Sequence, residues 1–199
     1  MKKCGADHHV LLNHLFEVLG RTLKAIIEKR CVKLSCVSQL SLYLMSKDNM
    51  TKRADGTVGL ISSALKMLSD HIAVNKVLYS CVKMRFVGDL EELPIEMKDL
   101  CDDIERCTSE GSFLVFIAIN YDPFTDCVKL VEKDESRPAQ GAIDLVIRSG
   151  GEKRSSGFFP LQCIYSEWVY LDSLFPDLTW EDVEAAVEDY EKRNRRFGS

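Results

Sequence analysis

Apolar residues along this chain fall into two spacings. From Leu11 to Lys29 they recur at 11, 12, 15, 18, 19, 23, 26 and 27, which predicts a helix with one buried face. Val58, Ile61, Leu65, Leu68 and Ile72 repeat that period and predict a second helix over 58–77. Between the two, Gln39 to Met45 alternates through Leu40, Leu42 and Leu44, as a strand does, and Ser46–Arg53 reads as a polar loop. Val82–Val87 is a short strand ending at Gly88-Asp89, and Pro94 opens a helix running towards Cys107. Phe113–Asn120 is a strongly apolar strand, while Lys133–Ala142 has the composition of a loop. The run Ile143–Ile147 reads as a buried parallel strand, and Trp168–Leu171 as another strand. Thr179 caps a last helix, Trp180–Arg196, with acids in its first turn and cations in its last. Strands alternating with helices predict an α/β fold, its mainly parallel central sheet flanked by helices, in one domain over residues 1–199.

Composition narrows the class without naming a function. Hydrophobic residues make up 46% and charged ones 29%, which is ordinary for a globular chain. The formal charge of −5 argues against a general nucleic-acid binder. The chain has no run of 18 apolar residues, and its first residues have cations but no apolar core behind them. A cytoplasmic location is expected. The eight cysteines form no Cys-x2-Cys pair, so free thiols are expected rather than zinc or disulfides. His8-His9 reads as a frayed terminus rather than a metal site.

One stretch does carry chemistry. After the strand at 143–147 come Arg148, Gly150, Gly151, Lys153, Arg154, Ser155 and Ser156. Glycine permits positive φ and close approach, arginine presents a planar fork to phosphate, and serine adds short hydroxyl hydrogen bonds. Ligands in open α/β sheets bind beyond the carboxyl ends of strands. A diphosphate site and a solvated basic loop are both open on these grounds, and a Walker A loop is excluded by spacing. Asp102-Asp103 fails as an Asp-Asp-x-x-Asp motif because position 106 is Arg.

The residues also carry a resemblance. Asp144-Leu-Val-Ile-Arg-Ser-Gly-Gly-Glu-Lys-Arg154, Leu161-Gln162, Tyr165-Ser-Glu167, Leu174-Phe-Pro-Asp177 and Arg195-Arg-Phe-Gly198 are similar, in order, to the cis-prenyltransferase family. Asn120-Tyr121 and Gly88-Asp-Leu-Glu-Glu-Leu-Pro94 match family segments too, although Asp-Pro-Phe follows Tyr121 where the family has Gly-Gly-Arg. Ser46-Lys-Asp-Asn-Met50 resembles the family's Ser-x-Glu-Asn-Trp/Phe, with Asp for Glu and Met for the aromatic. The resemblance implies condensation of isopentenyl diphosphate onto an allylic prenyl diphosphate, with Mg2+. It places Asn49, helped by Ser46, near the proton that is removed. It gives Arg148, Arg154, Ser155 and Ser156 to isopentenyl diphosphate, Met50 and Lys52 to substrate binding, and Glu167 to the metal. Arg196 and Gly198 form the Arg-x-Gly motif that some members lend across a dimer interface. A homo- or heterodimer and peripheral membrane contact follow from the same likeness, as does an apolar tunnel walled by the helices at 11–29 and 58–77.

The family opens with a strand ending in Asp-Gly-Asn, and the 199 residues contain no such segment. The first strand of the fold is therefore expected to be missing. A truncated or degenerate member, or a subunit completing a fuller partner, would each look like this. The alternatives to an enzyme are a non-catalytic partner subunit and a polyprenyl phosphate-binding protein.

Overall fold

The computed structural model describes residues 37–52 and 54–196 and divides the chain into two compact units, one ending at Asp122 and one starting at Pro123. In the first unit, β1 (Gln39–Tyr43), β2 (Val82–Val87) and β3 (Phe113–Ala118) form a parallel sheet in the order β1-β3-β2. β3 takes the middle because it is apolar on both faces: Phe113, Val115, Phe116, Ile117 and Ala118 are all buried. Parallel neighbours need crossovers. α1 (Lys47–Lys52), α2 (Ala54–Val74) and α3 (Lys76–Tyr79) lead from β1 to β2, and α4 (Ile95–Cys107) leads from β2 to β3. α2 packs on α4, and α4 on β2. Ile61, Leu65 and Ile72 of α2 and Met97, Cys101 and Ile104 of α4 are buried at helical spacing, so much of the predicted stripe at 58–77 is core.

Side chains from α4 satisfy the free side of β2. The Met84 N–H donates to Thr108 Oγ1 at 3.1 Å, and the Phe86 N–H to Glu105 Oε1 at 2.6 Å. Burial pushes the Glu105 carboxyl above its usual range, partly offset by the Phe86 hydrogen bond. Between β2 and α4, Gly88 has φ +147°, and a Cβ there would lie 1.9 Å from the Ile119 carbonyl oxygen, so only glycine fits.

The second unit contains α5 (Pro123–Glu132), β4 (Leu145–Arg148), β5 (Glu167–Tyr170) and α6 (Trp180–Lys192). β4 and β5 form a two-stranded parallel sheet in which Leu145 faces Glu167 and Arg148 faces Tyr170. α6 packs against β4. The Thr179 side chain accepts from the Asp182 N–H while Asp182 reaches back to the Thr179 N–H, a reciprocal cap. Asp126 on α5 and Arg137 in the following loop form a bidentate pair, Nε to Oδ1 at 2.6 Å and Nη2 to Oδ2 at 3.2 Å. Both side chains are only 3% exposed.

Four expectations need correction. Ser46–Arg53 is not a loop, since Lys47–Lys52 is helical. The Ser46 Oγ accepts the Asn49 N–H, Asp48 sits in the first turn, and Lys52 closes an i,i+4 pair with Asp48 at 2.7 Å. α5 was not foreseen, although a proline at the first helical position is its ordinary start. The strand at 143–147 is shifted to Leu145–Arg148, and within it only Val146 is buried, because a two-stranded sheet leaves each strand at an edge. The last helix stops at Lys192, where Arg193 turns extended at ψ 141°. The predicted helix at 11–29, His8, His9, Gly198 and the first three cysteines lie outside the described residues. Cys81, Cys101, Cys107, Cys127 and Cys163 are free thiols, and burial pushes the Cys101 thiol up to about 12. Among the described residues, no helix is long and apolar enough to cross a membrane.

Two outcomes follow. Glu105 has a raised folded-state pKa, so its contribution is fully present below the unfolded carboxyl pKa, about 4.3, and falls as the pH rises through the folded value. Denaturant titrations should show wild type losing stability relative to Glu105→Gln over that rise, whereas parallel profiles would refute it. Asp126→Ala leaves Arg137 buried and unpaired and should cost about 3–5 kcal/mol in the same assay.

Candidate functional site

Ser149 to Gly157 leaves the carboxyl end of β4, where an α/β sheet presents its ligands. Gly150 and Gly151 hold φ +93° and +71°, which β-branched or bulky residues would not tolerate. Their amides are engaged, the Gly150 N–H with the Ser173 carbonyl at 2.8 Å and the Gly151 N–H with the Leu171 carbonyl at 2.9 Å. These two amides are therefore spent on the fold of the loop. Ser156, at φ +51°, accepts from Arg148 Nη1 at 3.2 Å. The Arg148 Nε is buried and has no hydrogen-bond partner, which is costly for a charged group unless an acceptor arrives. Gly157, at φ +77°, has no room for a side chain: its Cβ would lie 2.9 Å from Pro123 Cγ. Ser155 accepts the Phe158 N–H through its carbonyl, and the exposed Arg154 pairs with Glu152. Arg148 and Ser156 are thus brought together, while Arg154 and Ser155 point to other partners.

In the first unit, a second set of predicted residues follows the carboxyl ends of the strands. A bridge between Ser46 and Tyr121 extends the β1–β3 pairing, and the Lys47 N–H donates to the Tyr121 carbonyl at 2.9 Å. Ser46 caps α1 through Asn49, so these two residues are brought together by the helix start itself. The Lys47 ammonium contacts Asp89 and Glu92, both at 2.8 Å, and hydrogen bonds to those carboxylates push its pKa up. Asn120, at φ +46°, donates from Nδ2 to the Asp89 carbonyl and accepts the Asp89 N–H. Lys47, Asp89 and Asn120 were not singled out by sequence as site residues. Their signal was positional, each standing just after a strand. Met50 is half-buried, and Lys52 is exposed on its pair with Asp48.

Glu167 lies elsewhere. It faces Leu145, at the amino ends of β4 and β5, whereas Arg148 is at the carboxyl end. Three residues of strand separate the two levels, about 10 Å at ~3.3 Å per residue. Glu167 Oε2 is held by Arg193 Nη1 at 2.8 Å. Hydrogen bonds to Glu167 and then Asp189 push the Arg193 guanidinium above its ordinary value. Among the described residues, no group of three or more His, Cys, Asp or Glu could hold a metal ion. Mg2+ asks for near-ideal octahedral oxygen donors. Proteins commonly hold it with one or two carboxylates together with waters and substrate phosphates; Glu167, the carboxylate expected to do so, is paired with Arg193 at the opposite end of the strands from Arg148. Arg196 is exposed just past α6.

Comparison with known proteins converges on one family. Residues 18–198 match the family model described as "Putative undecaprenyl diphosphate synthase". An isoprenyl transferase from Prochlorococcus marinus is 31% identical over 199 aligned positions, covering 88% of this chain and 72% of that protein. An isoprenyl transferase from Treponema denticola is 30% identical, covering 82% of this chain and 78% of the relative. The crystal structure of a probable undecaprenyl diphosphate synthase from Campylobacter jejuni superposes with a TM-score of 0.78 at 22% identity, covering 94% and 93% of the two chains, which shows the shared fold.

Proposed function

The chain belongs to the undecaprenyl diphosphate synthase family of prenyltransferases, and from that premise we propose that it binds isopentenyl diphosphate and serves its condensation with an allylic prenyl diphosphate. In that condensation the allylic carbon–oxygen bond breaks, diphosphate leaves, a carbon–carbon bond forms to the isopentenyl double bond, and a proton is lost. One observation carries the reading: Arg148, with a buried and unpartnered Nε, stands beside Ser156 in a glycine-shaped loop at the carboxyl end of a parallel strand. An arriving diphosphate oxygen would satisfy the Nε and add a charge-assisted hydrogen bond. Arg154 and Ser155 would join it by exchanging their present partners. On the same reading Asn49, held by Ser46 at the start of α1, stands near the departing proton, with Met50 and Lys52 along the substrate. Arg196 and Gly198 reach a diphosphate, within a dimer or from a second subunit. By family likeness Mg2+ would accompany the diphosphates and neutralise their charge.

A second reading follows from the likeness of Arg196-Phe-Gly198 to the Arg-x-Gly motif that some family members lend across an interface: a subunit that completes a partner's active site. Electrostatic stabilisation of the leaving diphosphate needs donors already in place, and such a partner would supply them.

Titration calorimetry with isopentenyl diphosphate tests the first reading. Arg148→Ala should weaken binding by about tenfold or more, as loss of a charge-assisted bond worth ~1.5–3 kcal/mol implies. Arg148→Lys should recover only part, for lack of the fork. Unchanged affinity in both variants sinks the assignment. Incorporation of labelled isopentenyl diphosphate separates the two readings. Little turnover by the chain alone, restored by a polypeptide carrying Asp-Gly-Asn, is the result expected of a completing subunit, and robust turnover alone excludes it.

A further inference from the structure

Two acidic residues lie at the amino ends of β4 and β5. Asp144 directly precedes β4, Glu167 opens β5, and the Glu167 N–H donates to the Asp144 carbonyl at 2.9 Å. Each is met by an arginine from the segment after α6. Arg193 donates to Glu167 at 2.8 Å, to the Trp168 carbonyl at 3.3 Å, and to Asp189 at 2.5 and 3.1 Å. Arg195 donates to Asp144 at 2.5 Å, to the Tyr190 hydroxyl at 2.9 Å and to the Tyr165 carbonyl at 3.1 Å. Its guanidinium also lies 5.7 Å from the Tyr190 ring centroid.

The backbone explains why these two arginines act as a pair. α6 ends at Lys192, and 194–196 have no regular structure to hold them. In extended chain, alternate side chains share a face. Arg193 and Arg195 are half-buried, and Asn194 and Arg196 are exposed, which fits that alternation.

We infer that Asp144 and Glu167 are the anchors of the C-terminal segment. Arg193 and Arg195 clasp them and so position Arg196, and the Glu167 carboxylate is committed to this clasp rather than to a metal. The clasp stands on its own geometry; only the value of placing Arg196 rests on the function proposed above.

The experiment uses the full chain. Hydrogen exchange by mass spectrometry and timed carboxypeptidase trimming follow the C-terminal segment in wild type, Asp144→Asn and Glu167→Gln. Both variants should expose it, with exchange and trimming several-fold faster. Exchanging the charges of one pair, Asp144→Arg with Arg195→Asp, should restore protection, which general destabilisation would not. In parallel, calorimetry with inorganic pyrophosphate, with and without Mg2+, should show the same Mg2+ dependence in Glu167→Gln as in wild type. A segment that stays protected in both variants overturns the inference. So does loss of the Mg2+ dependence in Glu167→Gln, whether or not the segment is freed. Should Glu167→Gln fail to fold, Arg193→Gln opens the same contact from the other side and is read by the same criteria. Failure of wild type to bind pyrophosphate would count against the proposed function alone, and the trimming result would then decide the clasp.

Discussion

A strand in a parallel sheet has backbone polar groups on both of its sides, and every edge must find something other than a strand to meet them. Much of this structure follows from how that demand is answered. β3 meets it with a neighbour on each side. β2 meets it with Thr108 and Glu105, so that one face of α4 packs the core while its C-terminal turn supplies hydrogen-bond acceptors. On β5, the Trp168 carbonyl is met by Arg193. These are polar side chains used as substitutes for a strand, and each ties a helix or its trailing segment to a sheet more tightly than apolar packing alone.

The same economy of donors shapes the candidate diphosphate loop. Its glycines suggested amides open to a phosphate, yet Gly150 and Gly151 turn their amides to the carbonyls of Ser173 and Leu171. What glycine provides here is the positive φ that folds the loop down onto the segment after β5. On the function proposed above, recognition would be concentrated in Arg148 and its hydroxyl neighbour, a planar fork rather than a cradle of backbone.

Legibility in the sequence followed physical range. Helical period found α2, whose buried Ile61, Leu65 and Ile72 repeat at one spacing, whereas Pro94 and Thr179 marked the starts of α4 and α6. The strands β2, β3 and β5 were found within a residue or two, since apolar runs between turns leave few other readings. α1 was missed because six residues with one apolar side chain, Met50, carry no period; its cap at Ser46 and its Asp48–Lys52 pair are local bonds that composition hides. α5 was missed because Asp-Pro-Phe was read as a departure from a motif rather than as a helix start. In the candidate site, the nearness of Arg148 to Ser156 was legible from a local loop. The pairing of Glu167 with Arg193 was not, because the two stand 26 residues apart.

Gly157 links the loop after β4 to the start of α5. Its α-carbon leaves no space for a side chain against the ring of Pro123, the first residue of α5, and its φ belongs to glycine. The position of Ser156 beside Arg148 is therefore set partly by a proline 33 positions upstream. Residues 123 and 157 therefore constrain one another, since any side chain at 157 would press on the proline ring. A smaller residue in place of this proline would leave room for a different loop beside the same arginine.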